Sequence, residues 1–437
     1  MHLSLLLLAC AGGLGATASV DPDVPTVVTV AWEADGDSYV EYGPTAAYGM
    51  VTPTQAGTAH NVPLYGLAPD AEVHWRAVTV GVGEDEGVAQ TGGPGPGFPS
   101  ISVTVDEPGR SEEGYWFGAL FEFLGHTPRI GAFDRTTGAL VWFYQGTDGM
   151  TSVDAQFVAG SNDVYFNQFN ASFSVDNGNI RRVTLGGDVV GEWYTPLAHH
   201  MFAQLPDGKV AFQSLDTRTW TDPETGETDE VASDAVMELD PTDGSTVEVF
   251  NVWDWLEPTW NRHWDDLSIY PGVADWTHGN AIKYTPDTDG YLLSLGHANT
   301  LIDFGRSDGQ LREMYGAEGV PVAADSLAFD YQHDPTWTEA GTLTMFTTNL
   351  DAHASGAIEY ALRDGELHEV WSHDVHDGDL QAIALGQVTR LENGNTLVAY
   401  GAEGVMREVD PDGAVVWEAV SDQGFGNGHL VGDFYAP

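Results

Sequence analysis

The stretch Asp134-Arg-Thr-Thr-Gly138-Ala-Leu-Val-Trp142 recurs, with variation, five more times along the chain. Its counterparts run from Gly187 to Trp193, Asp240 to Phe250, Gly305 to Tyr315, Arg363 to Trp371 and Asp410 to Trp417. Each is a glycine-containing turn followed by a short run that ends in an aromatic. Asp-Gly and Thr-Gly supply the positive φ of a tight hairpin. The β-rich run behind the turn reads as a strand whose aromatic anchors a core. A second set of turns alternates with the first, at Ala159-Gly160-Ser161, Pro206-Asp-Gly208, Asp287-Thr-Asp-Gly290, Glu339-Ala-Gly341 and Glu392-Asn-Gly394. Two hairpins in each repeat of about 45–65 residues make a four-stranded unit. The chain therefore reads as all-β, with residues 113–437 forming a six-bladed β-propeller. The competing reading is an irregular β-sandwich; the ordered alternation of the two turn types favours the propeller.

Upstream of the repeats, residues 21–91 read as short strands: Val27 to Trp32, Ser38 to Tyr42 and Ala71 to Val78. Val40-Glu-Tyr-Gly-Pro44 and His60-Asn-Val-Pro-Leu-Tyr-Gly-Leu-Ala-Pro69 resemble a fibronectin type III-like sandwich. Val73 and Trp75 stand where that family often carries a tyrosine. Such a module implies a structural or spacing role. Gly92 to Pro99 alternates Gly and Pro, which marks residues 92–112 as a linker.

Charge excludes some partners. The 437 residues carry 66 acids against 15 bases, a formal −51, and only Lys209 and Lys283 are lysines. Nucleic acid and anionic membrane surfaces repel such a chain. The acids are dispersed, as on a solvated surface suited to salty or extracellular surroundings.

The single cysteine, Cys10, allows no intrachain disulfide. It ends a short apolar run, Leu7-Leu8-Ala9-Cys10, within residues 1–20, and this resembles the lipobox of bacterial lipoproteins. The resemblance implies lipidation at Cys10, with membrane association only through that anchor, in an outer-membrane lipoprotein. A cleaved secretory signal ending at Ala16-Thr-Ala18, releasing a periplasmic or extracellular protein, and a start codon that omits a basic n-region are the alternatives. All three imply export.

Histidines carry the candidate chemistry. His200 lies eight residues before Gly208, and His333 lies eight before Gly341. His278 lies twelve before Gly290, ahead of a turn about four residues longer. First strands of propeller blades line a central channel. Histidines at matching positions of three consecutive blades then converge on the axis. A lone strand histidine is commonly just a polar residue satisfied by backbone; three at one repeat position point to function.

The segments around them resemble the bacterial arylsulfotransferase family: Ala198-His199-His200-Met-Phe-Ala-Gln-Leu-Pro-Asp-Gly208, Asp275-Trp-Thr-His278-Gly-Asn280, Tyr331-Gln-His333-Asp334, Gly356-Ala-Ile-Glu-Tyr360 and Leu391-Glu-Asn-Gly-Asn-Thr-Leu397. The resemblance implies a six-bladed propeller and a ping-pong reaction. A histidine takes a sulfuryl group from an aryl sulfate donor and passes it to a phenolic acceptor. Carried over by motif, His333 is the nucleophile, His278 and His200 are donors or acid/base groups, and Asn280 is a polar contact. No cofactor is implied. The chain departs from the family at Ser294-Leu-Gly296-His297, where an arginine usually precedes the histidine, and again at Ser355-Gly356. A bound sulfate then relies on cationic histidines, with His297 or His353 substituting; His199 is a further candidate substrate contact. Two other readings stay open. One is a metal held by His200, His278, His297 and His333, since imidazoles suit Zn²⁺-like ions. The other is a non-catalytic, ligand- or partner-binding propeller.

Overall fold

A computed structural model of the chain describes residues 13–122, 127–170, 176–258, 272–350, 353–376 and 378–436. Cys10, and with it the lipidation expectation, lies outside them. Among the described residues regular structure is β throughout, apart from three short 3₁₀ turns.

From Tyr115 onward the described strands form six sheets of successive antiparallel hairpins, one of them extended by Ala274–Asp275 running parallel to Val231 and Ala232. Sheet I joins Tyr115–Phe121, Arg129–Asp134 and Leu140–Gln145 to the last strand, Gly424–Val431. Sheets II to VI follow in order over 155–194, 198–251, 279–316, 333–373 and 387–421. The pairing of Gly424–Val431 with Tyr115–Phe121 ties the end of this region to its beginning. The first strands of successive sheets touch one another: Ala198–Gln204 meets Gly279–Thr285, which meets His333–Trp337, which meets Gln387–Arg390. These strands gather about a common axis.

The repeated aromatics explain why the sheets stand side by side. Each lies on the fourth strand of its sheet, and five of the six contact the next sheet directly. Trp142 Nε1 donates to the Leu185 carbonyl of sheet II at 2.8 Å. Phe250 stacks on Phe304 of sheet IV at 4.0 Å. Tyr315 meets Trp337 of sheet V at 5.7 Å, and Trp371 lies under the Arg390 guanidinium of sheet VI at 5.3 Å. Trp417 returns to sheet I, donating to the Arg135 carbonyl at 2.7 Å with the Arg135 guanidinium 4.1 Å above its ring. Trp193 packs in the cluster shared by sheets II and III. Aromatics bury large area and pair with directional geometry, so each one fixes its neighbour's angle. The turns before them use positive φ as the sequence requires; Gly138 is at φ +75°. At the longer turn the strained residue is Asp289, φ +44°, rather than Gly290.

Two boundaries differ from the sequence reading. Ile101–Asp106, inside the expected linker, pairs with Val415–Ser421 as a fifth strand of sheet VI. Its alternating Ile, Val and Val are half-buried against that sheet, and this pattern outweighs the Gly-Pro run just before it. Thr17–Val20, inside the expected export segment, is a strand paired antiparallel with Val28 to Ala31. The expected cleavage site Ala16–Ala18 therefore lies at and within a sheet.

The upstream module is organised by one long strand, Val28–Gly43. Its first half pairs with Thr17–Val20 and Gln55–Leu64; its second half pairs with Met50–Val51 and Glu72–Thr79, which pairs on with Gly83–Gln90. Gly36, at φ +144°, lies where the register shifts between the halves. Val30, Trp32, Val40, Tyr42, Val62 and Trp75 bury themselves together inside. Trp75 is thus a core residue of the module. Val24 and Val27 pack with Trp142 and Phe434 of the six-sheet region. Tyr435 seals the junction by donating to the Pro63 carbonyl at 2.9 Å.

Candidate active site

Bulges at the start of the first strands aim the histidines. In sheet III, His199 pairs with Gln213 and the next aligned pair is Phe202 with Phe212, so two residues bow out. In sheet IV the break falls between Gly279 and Ala281, and in sheet V between His333 and Thr336. A bulge re-aims a side chain and raises local twist. His200 (φ +50°), His278 (φ +46°) and Asp334 (φ +52°) take left-handed conformations here. Non-glycine residues at such angles are concentrated at functional sites. By register His333 occupies the place of His199 and Gly279, and His278 stands one residue ahead of it. The equal offsets of His200 and His333 from their turns thus do not mark one structural position. The bulges differ in size, and counting back from a turn cannot register that.

Five of the six candidate histidines and a tyrosine form a continuous chain of ring contacts. His199 meets His200 at 5.2 Å, and His200 meets His278 at 5.1 Å. His278 stacks on His297 at 4.3 Å, and the Tyr331 ring lies 5.4 Å from His278 and 5.7 Å from His333. His353 is not brought to this group; it is exposed, with Nδ1 3.0 Å from Gln381 Oε1.

Each ring has a fixed Nδ1. His278 Nδ1 is 2.6 Å from Asp275 Oδ2, His297 Nδ1 is 2.6 Å from the Asp275 carbonyl, and His333 Nδ1 is 3.1 Å from the Tyr331 carbonyl. An oxygen at Nδ1 makes that nitrogen the donor and leaves the lone pair of a neutral ring on Nε2. His199 and His200 share one hydrogen bond between their Nδ1 atoms, 2.9 Å. His199 Nε2 lies 3.3 Å from Asp234 Oδ1, yet neither atom has a hydrogen-bond partner. The contact is close enough for attraction but misaligned, and we read it as electrostatic only.

Burial holds two of these rings, His200 and His333, uncharged. It lowers His333 to about 3, helped by the charge of His278. Burial, then His278 and His199, lowers His200 well below its ordinary value. Burial pushes the Asp275 carboxyl up, but His278, His297 and His199 outweigh it and bring it down to about 2. Asp275 therefore remains an anion, hydrogen-bonded to the His278 ring.

Asn280 and Gly296 brace the site. Asn280 Nδ2 donates to the Gln332 carbonyl at 2.7 Å, leaving its buried Oδ1 without a hydrogen bond. Its amide N–H thus locks the strand entering His333. A Cβ on Gly296 would lie 2.7 Å from Asn280 Nδ2 and 3.2 Å from the His278 carbonyl. Gly296 therefore lets Asn280 and the His278 backbone close in, and an arginine cannot be added there without moving them.

Asp275, His278 and His297 each offer a ligand atom within 4.8 Å of the others, a donor set that suits a Zn²⁺-like ion. It differs from the four-histidine set read from the sequence. The rings of His278 and His297 are only 21° from parallel at 4.3 Å separation. Each lone pair lies in its ring plane, so joint ligation requires one ring to turn.

Sequence reasoning missed Asp275, Tyr331 and Asp234. Asp275 had a signal, three residues before His278 and able to reach back to it. Tyr331 and Asp234 had none.

An all-β fold of sheets about an axis, with buried imidazoles at the hub, describes a class in which inner strands hold a site and outer strands hold the ring. The chain belongs to the arylsulfotransferase (ASST) family, whose model matches residues 132–416. Among curated proteins none matches it. Solved structures similar to the chain include a protein of unknown function from Bacteroides caccae, 15% identical, covering 71% of this chain and 94% of that one, TM-score 0.44. Others are the periplasmic gluconolactonase of Pseudomonas aeruginosa (12% identity, 73% and 100% covered, TM-score 0.42) and a putative 6-phosphogluconolactonase from Bacteroides fragilis (12%, 91% and 98%, 0.40).

Proposed function

We propose that this protein transfers a sulfuryl group from an aryl sulfate to a phenolic acceptor through a sulfated His333. The supporting observation is the state of His333: a buried, neutral imidazole whose Nδ1 is anchored on the Tyr331 carbonyl, leaving Nε2 as the nucleophile. Nε2 attacks sulfur, the S–O(aryl) bond breaks, and the departing phenolate takes a proton from His278. The acceptor phenol then gives its proton back to His278 and attacks sulfur, and the S–N bond breaks. Asp275 stabilises His278 in its protonated form at each turn of this cycle. Charge on the transferring group spreads over its equatorial oxygens, so N–H groups fixed in advance supply much of the acceleration. Rapid quench with nitrophenyl sulfate should trap the sulfuryl group on His333; label on another residue would overturn the assignment.

In this reading the six sheets are six blades of one wheel, supported by the join between first and last strands and by the aromatic seam. The upstream module is a fibronectin type III-like spacer, supported by its buried core and its single shared long strand. The protein is exported, and lipid attachment at Cys10 agrees better with the sheet begun at Thr17 than cleavage at Ala18 does.

A second reading is a metal site on Asp275, His278 and His297, favoured by their proximity. Metal content of purified protein, measured beside an aryl sulfate assay with a phenol acceptor, separates the two.

A further inference from the structure

The strands that begin at the histidines run on to line a cavity of about 380 Å³. Met201 and Phe202 follow His200 into its wall, and Lys283 and Tyr284 follow Asn280. Three charged side chains stand at or beside it: Asp154, Lys283 and Asp334. Lys283 is ion-paired to Asp334, which follows His333 and is 1% exposed. Among the described residues Asp154 thus has no ion pair of its own, though the charge of Lys283 reaches it. Asp154 is likewise 1% exposed. Its Oδ2 accepts from Gln156 Nε2 at 3.0 Å and from the Phe202 amide at 3.2 Å. Its Oδ1 takes no hydrogen bond among the described residues, and no ion pair there includes it. Burial raises this carboxyl to about 6 against the pull of those donors and of Lys283.

A buried carboxylate without a cation is costly, and a ligand that brings one recovers that cost. The remaining wall selects the kind of cation. Phe157 and His429 line it, and burial holds His429 neutral, at about 4. A hard metal ion asks for several oxygen ligands. One carboxylate oxygen among aromatic side chains instead suits an alkylammonium, which gains from both. The strongly acidic surface raises the local concentration of any cation.

We propose that this cavity is a binding site for the ammonium group of a small organic amine, anchored by Asp154. The site does not depend on sulfuryl transfer. The test is calorimetric titration with 2-phenylethylammonium and with neutral 2-phenylethanol, in salt high enough to screen surface charge. Wild type should bind one ammonium per chain, about tenfold or more tighter than the alcohol. Asp154→Asn should bring the two affinities together, whereas Asp287→Asn, on an exposed turn, should change neither. Equal affinities in wild type, no binding of the ammonium, or an ammonium affinity untouched by Asp154→Asn would overturn the proposal. The wild-type comparison decides by itself if thermal melting shows Asp154→Asn to be unfolded.

Discussion

The fourth strands and the first strands of the six sheets obey different rules. On the fourth strands every sheet carries an aromatic, and five of the six contact the next sheet, from Trp142 reaching Leu185 to Trp417 reaching Arg135. On the first strands almost nothing repeats. His199 and His200 open sheet III, Gly279 and Asn280 open sheet IV, His333 and Asp334 open sheet V, and the bulges differ. Repetition at the rim gives closure, because a ring must meet itself at a constant angle. Variation at the hub gives chemistry, because one substrate must meet unlike groups from several sides. Substitutions at the two places should therefore separate activity from stability.

The largest separation is expected at His333. His333→Ala should lower sulfuryl transfer by about a thousandfold or more. Its imidazole makes one hydrogen bond, to the Tyr331 carbonyl, so its loss should cost only about 1 kcal/mol of stability. Transfer within tenfold of wild type would remove the nucleophile from the mechanism. Trp417→Ala should do the reverse. The indole is 1% exposed and bonded to Arg135. Removing it should cost about 3–5 kcal/mol in chemical denaturation, with turnover per folded molecule kept. If the two variants lost stability equally, the contrast between rim and hub would fail.

The rim was legible in the sequence because its signals are local. Thr137-Gly138 and Trp142 sit within one hairpin, and neither needs the rest of the chain to be interpreted. The hub was legible only in part. His278 and His333 stood out by residue type, but their relative placement depends on bulges that shift register by one or two residues. No spacing rule registers a bulge. Asn280 was expected as a polar contact of the site; that its amide also holds the Gln332 carbonyl is visible only in the fold. Asp154 lies far from every histidine in sequence, and only the closing of the sheets brings it beneath them. The strand Ile101–Asp106 was hidden by the Gly-Pro run before it, although its alternation was already present.

A smaller effect should distinguish the groups of the hub from one another. Asp275→Asn keeps the shape but removes the anion beside His278, and should lower kcat about 10- to 100-fold while shifting the acidic limb of the pH profile. A change confined to KM would mean that Asp275 orients substrate rather than His278. Acid adds an independent test of burial. His200, His333 and His429 are all held below their ordinary values in the folded chain. Once unfolded, each takes a proton as pH drops below about 6.5. Stability should therefore be full above that value and decline as pH falls towards about 4 and then 3, where His429 and His333 protonate in place. Asp275, held at about 2, adds a further loss as pH falls from about 4. His333→Ala should make the first decline shallower by about one proton. An unchanged slope would mean that His333 is already solvated.

The smallest effect is expected at His353, which the sequence offered as a replacement for the missing arginine. His353 is exposed and its Nδ1 is 3.0 Å from Gln381 Oε1, and among the described residues no ring contact joins it to His278, His297 or Tyr331. An exposed imidazole is screened by water and can contribute little to an anion bound among buried groups. His353→Ala should leave kcat/KM within about twofold and stability within about 0.5 kcal/mol. His297→Ala, by contrast, removes the ring stacked on His278 and should weaken donor binding measurably. If His353→Ala proved the more damaging of the two, the cation that meets the sulfate would come from the loop and not from the hub.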